Sequence, residues 1–297
     1  MCPADEQPVP VAPDPQSPSE APGRMASEGA SDTVEWAYIC DIGTGRDNNE
    51  DYAGACTPER AEPLFVVADG MGGHAAGEVA SRLAVETVVG SWAGDSVGSG
   101  AAHQRLRSAV RAANVAVFDA SHDAGRRGMG STLTALVLAG KEAVIAHAGD
   151  SRAYLIREGQ ASQLTADHSR VGEMLRMRLI TAEQAARHPA RSMLTRSLGT
   201  EPMLQIDLVR EPAEPGDSFV LCSDGLWDSV ARGEIAEIVS GSEDEEAPDC
   251  PTAAARLIEL ALKRDAPDNV TVAVIRLVAH GPTSGGRRLF RRFSRGG

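Results

Sequence analysis

The sequence predicts an α+β layered fold in which helix pairs cover the outer faces of two packed sheets. Three observations carry this. Short apolar runs rich in β-branched residues recur along the chain and read as buried strands. Helical segments come in pairs between groups of strands, without regular βαβ alternation. Several of the runs also end at, or start from, an aspartate: 64–68 stops at Asp69-Gly70, 219–223 at Asp224-Gly225, 144–149 at Asp150, and Asp268-Asn269 precedes 270–275.

Residues 1–32 are rich in Pro, Ser, Glu and Ala, with Pro8, Pro10, Pro13, Pro15, Pro18 and Pro22 in close succession. They read as a disordered or polyproline-like extension. The folded domain is expected over 33–280, opening with a strand at 35–40, a loop carrying Arg46 to Asp51, and the 64–68 strand. Helices follow at 75–92 and 104–121, the second with Leu106, Val110, Ala113 and Val117 on one stripe. Strands are expected at 132–139, 143–148 and 153–157. Residues 167–200 change character, with many Arg and Met residues and a capping sequence Thr181-Ala182-Glu183-Gln184. They read as a lid or flap, with His168 at its start as a structural anchor. Strands resume at 203–209 and 217–222, helices at 234–239 and from Pro251 to Arg264, and 270–278 closes the domain. Residues 281–297 form a basic tail around Arg287, Arg288, Arg291, Arg292 and Arg295. It reads either as a solvated end or as a patch for a membrane surface or partner.

The chain has 297 residues, 42% of them hydrophobic, and a net charge of -13. Such a surface repels a nucleic-acid backbone, which argues against a nucleic-acid partner. The five cysteines are scattered and never form C-x-x-C, against a disulfide framework or a zinc knuckle. Cys40 and Cys222 lie in apolar runs and read as inert core thiols. No stretch approaches the roughly 18 apolar residues of a membrane span, and residues 1–32 lack the pattern of a secretory signal. Cytoplasmic localisation is the expectation.

A carboxylate at the rim of each of several buried strands is costly unless a cation meets it. The common partner for converging aspartates is a divalent metal with oxygen ligands. Gly70 adds to this, because a residue without a side chain lets its carbonyl approach an ion closely. The loop Gly72-Gly73-His74 has little side-chain bulk. It suits either substrate approach or a plain turn before the next helix.

Six blocks then carry a resemblance: Arg46-Asp47-Asn48-Asn49-Glu50-Asp51, Ala68-Asp69-Gly70-Met71-Gly72-Gly73-His74, Gly128-Met129-Gly130-Ser131-Thr132, Gly149-Asp150-Ser151-Arg152, Cys222-Ser223-Asp224-Gly225 and Pro267-Asp268-Asn269-Val270-Thr271. In this order they resemble the metal-dependent protein phosphatases, the type-2C serine/threonine phosphatases of the bacterial branch. The resemblance covers about residues 35–278 and implies a four-layer α-β-β-α sandwich of two antiparallel sheets flanked by helix pairs. It implies two Mn2+ or Mg2+ ions and a weaker third. On that pattern Asp69 bridges two metals, the Gly70 carbonyl holds the second, and Asp224 and Asp268 complete the first. Glu50 and Asp51 lie near the second metal, and Asp150 with Asp224 matches the third. Arg46 matches the residue that clamps the substrate phosphate.

The implied activity is hydrolysis of phosphoserine and phosphothreonine monoesters by a metal-activated water. Phosphorylated proteins, and the serine/threonine kinase that modifies them, are the implied partners. Met71 departs from animal-type members, which carry a His at that position. His74, three residues on, is therefore the candidate proton donor, with a helix-start cap as its other reading. A catalytically silent sensor module and another metal-dependent phosphoesterase are the competing functions.

Overall fold

The computed structural model describes residues 23–58, 62–72, 75–94, 100–241 and 246–278. The basic tail and residues 1–22 lie outside the described residues, as does His74.

Two sheets face each other. The first runs in the order β1 (Arg24–Ala30), β2 (Val34–Asp41), β12 (Val270–Leu277), β11 (Ser218–Cys222), β8 (Arg152–Arg157), β9 (Gln160–Gln163). The second runs β10 (Asp207–Pro212), β7 (Glu142–Ala148), β6 (Leu133–Ala139), β4 (Leu64–Met71), β3 (Asp51–Cys56), with the short β5 (Gly130–Ser131) paired to the far end of β4. All the pairings are antiparallel, as in Asp51 opposite Asp69 and Val270 opposite Asp41.

The central strands are buried on both sides, which is why they read as continuous apolar runs rather than alternating ones. In β4, Leu64, Val66 and Ala68 pack under the helix pair α1 (Ala75–Gly94) and α2 (Ala102–Ala120), whereas Phe65 and Val67 point into the space between the sheets. In β12, Val270, Val272 and Val274 face α6 (Arg232–Ser240) and α7 (Cys250–Lys263), while Ala273 and Ile275 face inward. The result is a four-layer α-β-β-α sandwich with an inter-sheet core and one core under each helix pair. Pro251 falls in the first turn of α7, and Asp249 caps it by accepting the Thr252 N–H at 2.8 Å.

Three expectations shift. Ordered structure starts within the expected extension, because β1 pairs with β2 from Glu35 to Asp41. Its sequence carries no strand signal. Backbone pairing holds it, together with the 2.6 Å Arg24–Asp41 ion pair and Gly29, which lies flat on the Trp36 ring where a Cβ would come within 2.8 Å. The strand expected at 203–209 is β10 at Asp207–Pro212, and Met203 is 85% exposed. The flap holds two short helices, α3 (Arg170–Arg176) and α4 (Ala182–Ala186), only the second of which has a capping box, at Thr181 and Gln184.

Candidate metal centre

The aspartates reach one end of the sandwich because the strands that carry them end there. Asp69 lies near the end of β4, Asp150 follows β7, Asp224 opens α5 (Asp224–Trp227) directly after β11, and Asp268 precedes β12. Close backbone approach draws these segments together. A Cβ on Gly70 would collide with the Gly77 carbonyl of α1, and one on Gly225 with the Asn269 carbonyl. The glycines after Asp69 and Asp224 are thus a packing requirement. Asn269 ties the loops down, its amide donating to the carbonyls of Ile42 and Asn48 at 2.8 and 3.0 Å and its Oδ1 accepting the Glu50 N–H at 2.8 Å. Thr132 Oγ1 accepts the Asp69 N–H at 2.9 Å.

Arg46, Glu50, Asp69, Gly70, Asp150, Asp224 and Asp268 line a single cavity of about 720 Å³. Asp51 stands behind it. Its carboxylate is buried and accepts the Ser223 hydroxyl at 2.6 Å, so the structure sets it beside Asp69 on the neighbouring strand and off the cavity wall. Arg46 Nη2 donates to Asp268 Oδ2 at 2.8 Å, and its Nη1 lies 3.8 Å from Glu50.

The carboxylates are costly to ionise together. Burial, then the charges of Asp51, Asp224, Asp150 and Asp268, hold the Asp69 carboxyl well above the usual carboxylate range. Burial, then Asp150 and Asp268, raise Asp224, and burial, then Asp167, push Asp150 up to about 7. Among the described residues no three His, Cys, Asp or Glu side chains form a ready metal-holding group. An open cavity lined by carboxylates leaves room for ions that keep part of their water shell, which is the habit of Mg2+ and similar hard cations. The donor set fits such ions: several carboxylates on one cavity and a backbone carbonyl, with one arginine to offset the negative charges. Cys222 does not compete for a catalytic role, since burial pushes its thiol up to about 12.

Two further groups hold the site's edge: Trp227, which lies outside the six blocks, and Arg152, which ends the Gly149-Asp150-Ser151-Arg152 block without being given a role there. The Trp227 indole N–H donates to the Asp150 carbonyl at 3.1 Å, and the Arg152 guanidinium stacks on the Trp227 ring at 3.6 Å. Arg152 grips Asp167 with two bonds of 3.0 and 2.7 Å, joining the Asp150 turn to the start of the flap. Their nearness to Asp150 and Asp224 along the chain is the one signal that points to them. His168 performs the anchoring expected of it. Its Nδ1 accepts the Gly149 N–H at 3.2 Å, its Nε2 lies 3.1 Å from Asp207, and its carbonyl accepts the Thr195 N–H at 2.8 Å where the flap returns.

With this geometry in view, the sequence matches the family described as Protein phosphatase 2C over residues 44–248. It is 41% identical over 248 residues to the serine/threonine protein phosphatase PstP of Mycobacterium tuberculosis, covering 82% of this chain and 45% of that protein, so it spans about half that relative's length. It is 34% identical to the protein phosphatase PhpP of Streptococcus pneumoniae, covering 82% of this chain and 97% of the other. Its fold is similar to the crystal structure of the catalytic domain of PstP in complex with two manganese ions. That match has a TM-score of 0.70 and 37% identity, and covers 83% of this chain and 99% of the other. Among the described residues no helix is long and apolar enough to cross a membrane.

Proposed function

The chain belongs to the protein phosphatase 2C family, and from this we propose that it hydrolyses phosphoserine and phosphothreonine monoesters in proteins. The observation that carries the reading is the set of aspartates, Asp69, Asp150, Asp224 and Asp268, gathered with Arg46 on one cavity. In this reading Asp69, the Gly70 carbonyl, Asp224 and Asp268 hold two divalent cations, Mn2+ or Mg2+. Glu50 and Asp51 support them, and Asp150 serves a weaker third. When bound, these ions supply Lewis acidity and lower the pKa of a water.

The chain's own residues do the rest. Arg46 lines the cavity with its guanidinium, a planar fork that suits two phosphate oxygens and offsets charge gathering on them. A water oxygen forms the new bond to phosphorus as the bond to the serine or threonine oxygen breaks, and that oxygen leaves with a proton. Met71 has no proton to give, and His74 is the proposed donor. Asn269 and Trp227 fix the loops bearing Glu50 and Asp150, so little reorganisation is needed during the reaction.

Such an enzyme acts on products of a protein serine/threonine kinase, and we place both in the cytoplasm. Phosphate release from a phosphothreonine peptide, measured with manganese and again after chelation, tests the reading. An unchanged rate after chelation, or in Asp69→Asn, contradicts it.

A further inference from the structure

We infer that the tip of the flap docks an acidic segment beside the phosphorylated residue of the substrate, an inference that rests on the phosphatase reading above. The flap reverses the charge of the molecule. Residues 167–200 hold Arg170, Arg176, Arg178, Arg187, Arg191 and Arg196 against Asp167, Glu173 and Glu183, so the segment carries +3 and the remainder -16 of the total -13.

Some of these arginines are engaged. Arg196 holds Asp207 at 2.9 Å, and Arg191 faces Asp228 across the mouth of a groove at 3.3 Å. Arg176 and Arg178 are different. Both are exposed, and neither makes a side-chain ion pair or hydrogen bond among the described residues. They alternate with Met177 and Leu179, which are 69% and 66% exposed. Arg178 also has φ 57, a left-handed conformation that glycine adopts freely and a side-chain-bearing residue does not. A guanidinium is therefore held at a position whose backbone favours its absence.

A route leads from this tip to the aspartates. Leu175, next to Arg176, lines a groove of about 500 Å³ with Val171 and Ala185 on the flap side and Trp227 opposite, and the groove ends on Asp150 and Asp224. A phosphorylated segment already carries close to two negative charges, and the strongly acidic body of the protein repels it. The positive flap gives such a segment a favourable approach and fixes its register, which is what charges at a rim do. The exposed Met177 and Leu179 add contact for an apolar residue within the acidic segment.

The test uses the full chain with manganese and three phosphothreonine peptides of equal length whose flanks are acidic, neutral or basic. p-Nitrophenyl phosphate, too small to reach the tip, reports the chemistry alone. We expect kcat/KM for the acidic peptide to exceed that for the neutral one by about tenfold at low salt, mostly through KM, and to lose that margin at high salt. Arg176→Gln/Arg178→Gln removes the preference and leaves p-nitrophenyl phosphate turnover unchanged. Arg178→Gly relieves the backbone while removing one charge, so a partial loss there cannot be ascribed to misfolding. Equal or basic-favouring rates with p-nitrophenyl phosphate still hydrolysed, or a preference that survives the double substitution, overturn the inference. So does flap-dependent binding to phosphatidylserine vesicles without peptide preference, which assigns the tip to a membrane. If neither peptides nor p-nitrophenyl phosphate are hydrolysed, the phosphatase reading fails and this inference with it.

Discussion

The guanidinium of Arg46 lies 2.8 Å from the carboxylate of Asp268, so a residue proposed to hold phosphate is paired with one proposed to hold metal. A divalent cation and Arg46 therefore compete for the same oxygens. Arg46→Ala is expected to lower kcat/KM for a phosphopeptide by about 10²-fold, while manganese binds as tightly as before or more tightly. Steady-state kinetics paired with manganese titration check this, and weaker manganese binding in the variant contradicts it.

The loops around the site hang on Asn269, whose side chain makes three hydrogen bonds to the backbone of Ile42, Asn48 and Glu50. Asn269→Ala leaves two part-buried carbonyls and one N–H without those partners. The expected loss is about 2–4 kcal/mol of stability, read as a lower urea midpoint with an unchanged slope. Asn269→Asp does no better, since it sets an acceptor against the two carbonyls.

Two glycines give a matched pair. Gly225→Ala drives a methyl group into the Asn269 carbonyl, and the backbone that positions Asp224 must move. Several kcal/mol of destabilisation, on the order of 3, and loss of activity are expected. A Cβ on Gly233 in α6, by contrast, would have nothing within 4 Å. Gly233→Ala is expected to stabilise by about 0.5–1 kcal/mol through helix propensity. Thermal melts of the two variants should move in opposite directions.

His147 predicts a loss of stability in mild acid. Burial, then the neighbouring His168, lower its ring from 6.5 to about 4, against smaller opposing effects of Asp167 and Asp207. The neutral ring is accommodated when Nε2 donates to the Ala166 carbonyl at 3.2 Å and Nδ1 faces the Thr134 hydroxyl at 3.0 Å, whose proton is shared with the Ser151 carbonyl at 3.1 Å. Above pH 6.5 both folded and unfolded states are neutral there. As pH falls from 6.5 towards 4 only the unfolded state takes up the proton, so up to roughly 3 kcal/mol is lost across that window. His147→Gln should flatten this part of the stability profile, measured by urea unfolding between pH 7.5 and 4.5.

Strands such as β4, β11 and β12 are legible in the sequence because burial on both faces leaves uninterrupted apolar runs. β1 is not, since Arg24-Met25-Ala26-Ser27-Glu28-Gly29-Ala30 has no strand composition and is ordered by its partner, with Gly29 beneath Trp36. The apolar residues leading into β10 start early and point to 203–209, whereas pairing with β7 begins only at Asp207. Asp69, Asp150, Asp224 and Asp268 are legible from their places at strand ends. Glu50 and Asp51 look equivalent in sequence, yet the β3–β4 register sets Asp51 beside Asp69, where it is buried against the Ser223 hydroxyl. The Trp227–Arg152–Asp167 stack and the Asn269 hub depend on contacts between distant segments, which local pattern does not encode.

Calorimetric titration of the full chain with manganese, run beside Asp69→Asn and Asp224→Asn, tests the metal centre most directly. Saturable binding of two ions to the wild type is expected, strongly weakened in both variants. Manganese at a hundred times its dissociation constant should also add about 2.7 kcal/mol of stability. Wild-type protein that binds no manganese, or variants that bind it equally well, would contradict the claim that these clustered aspartates form a divalent metal site.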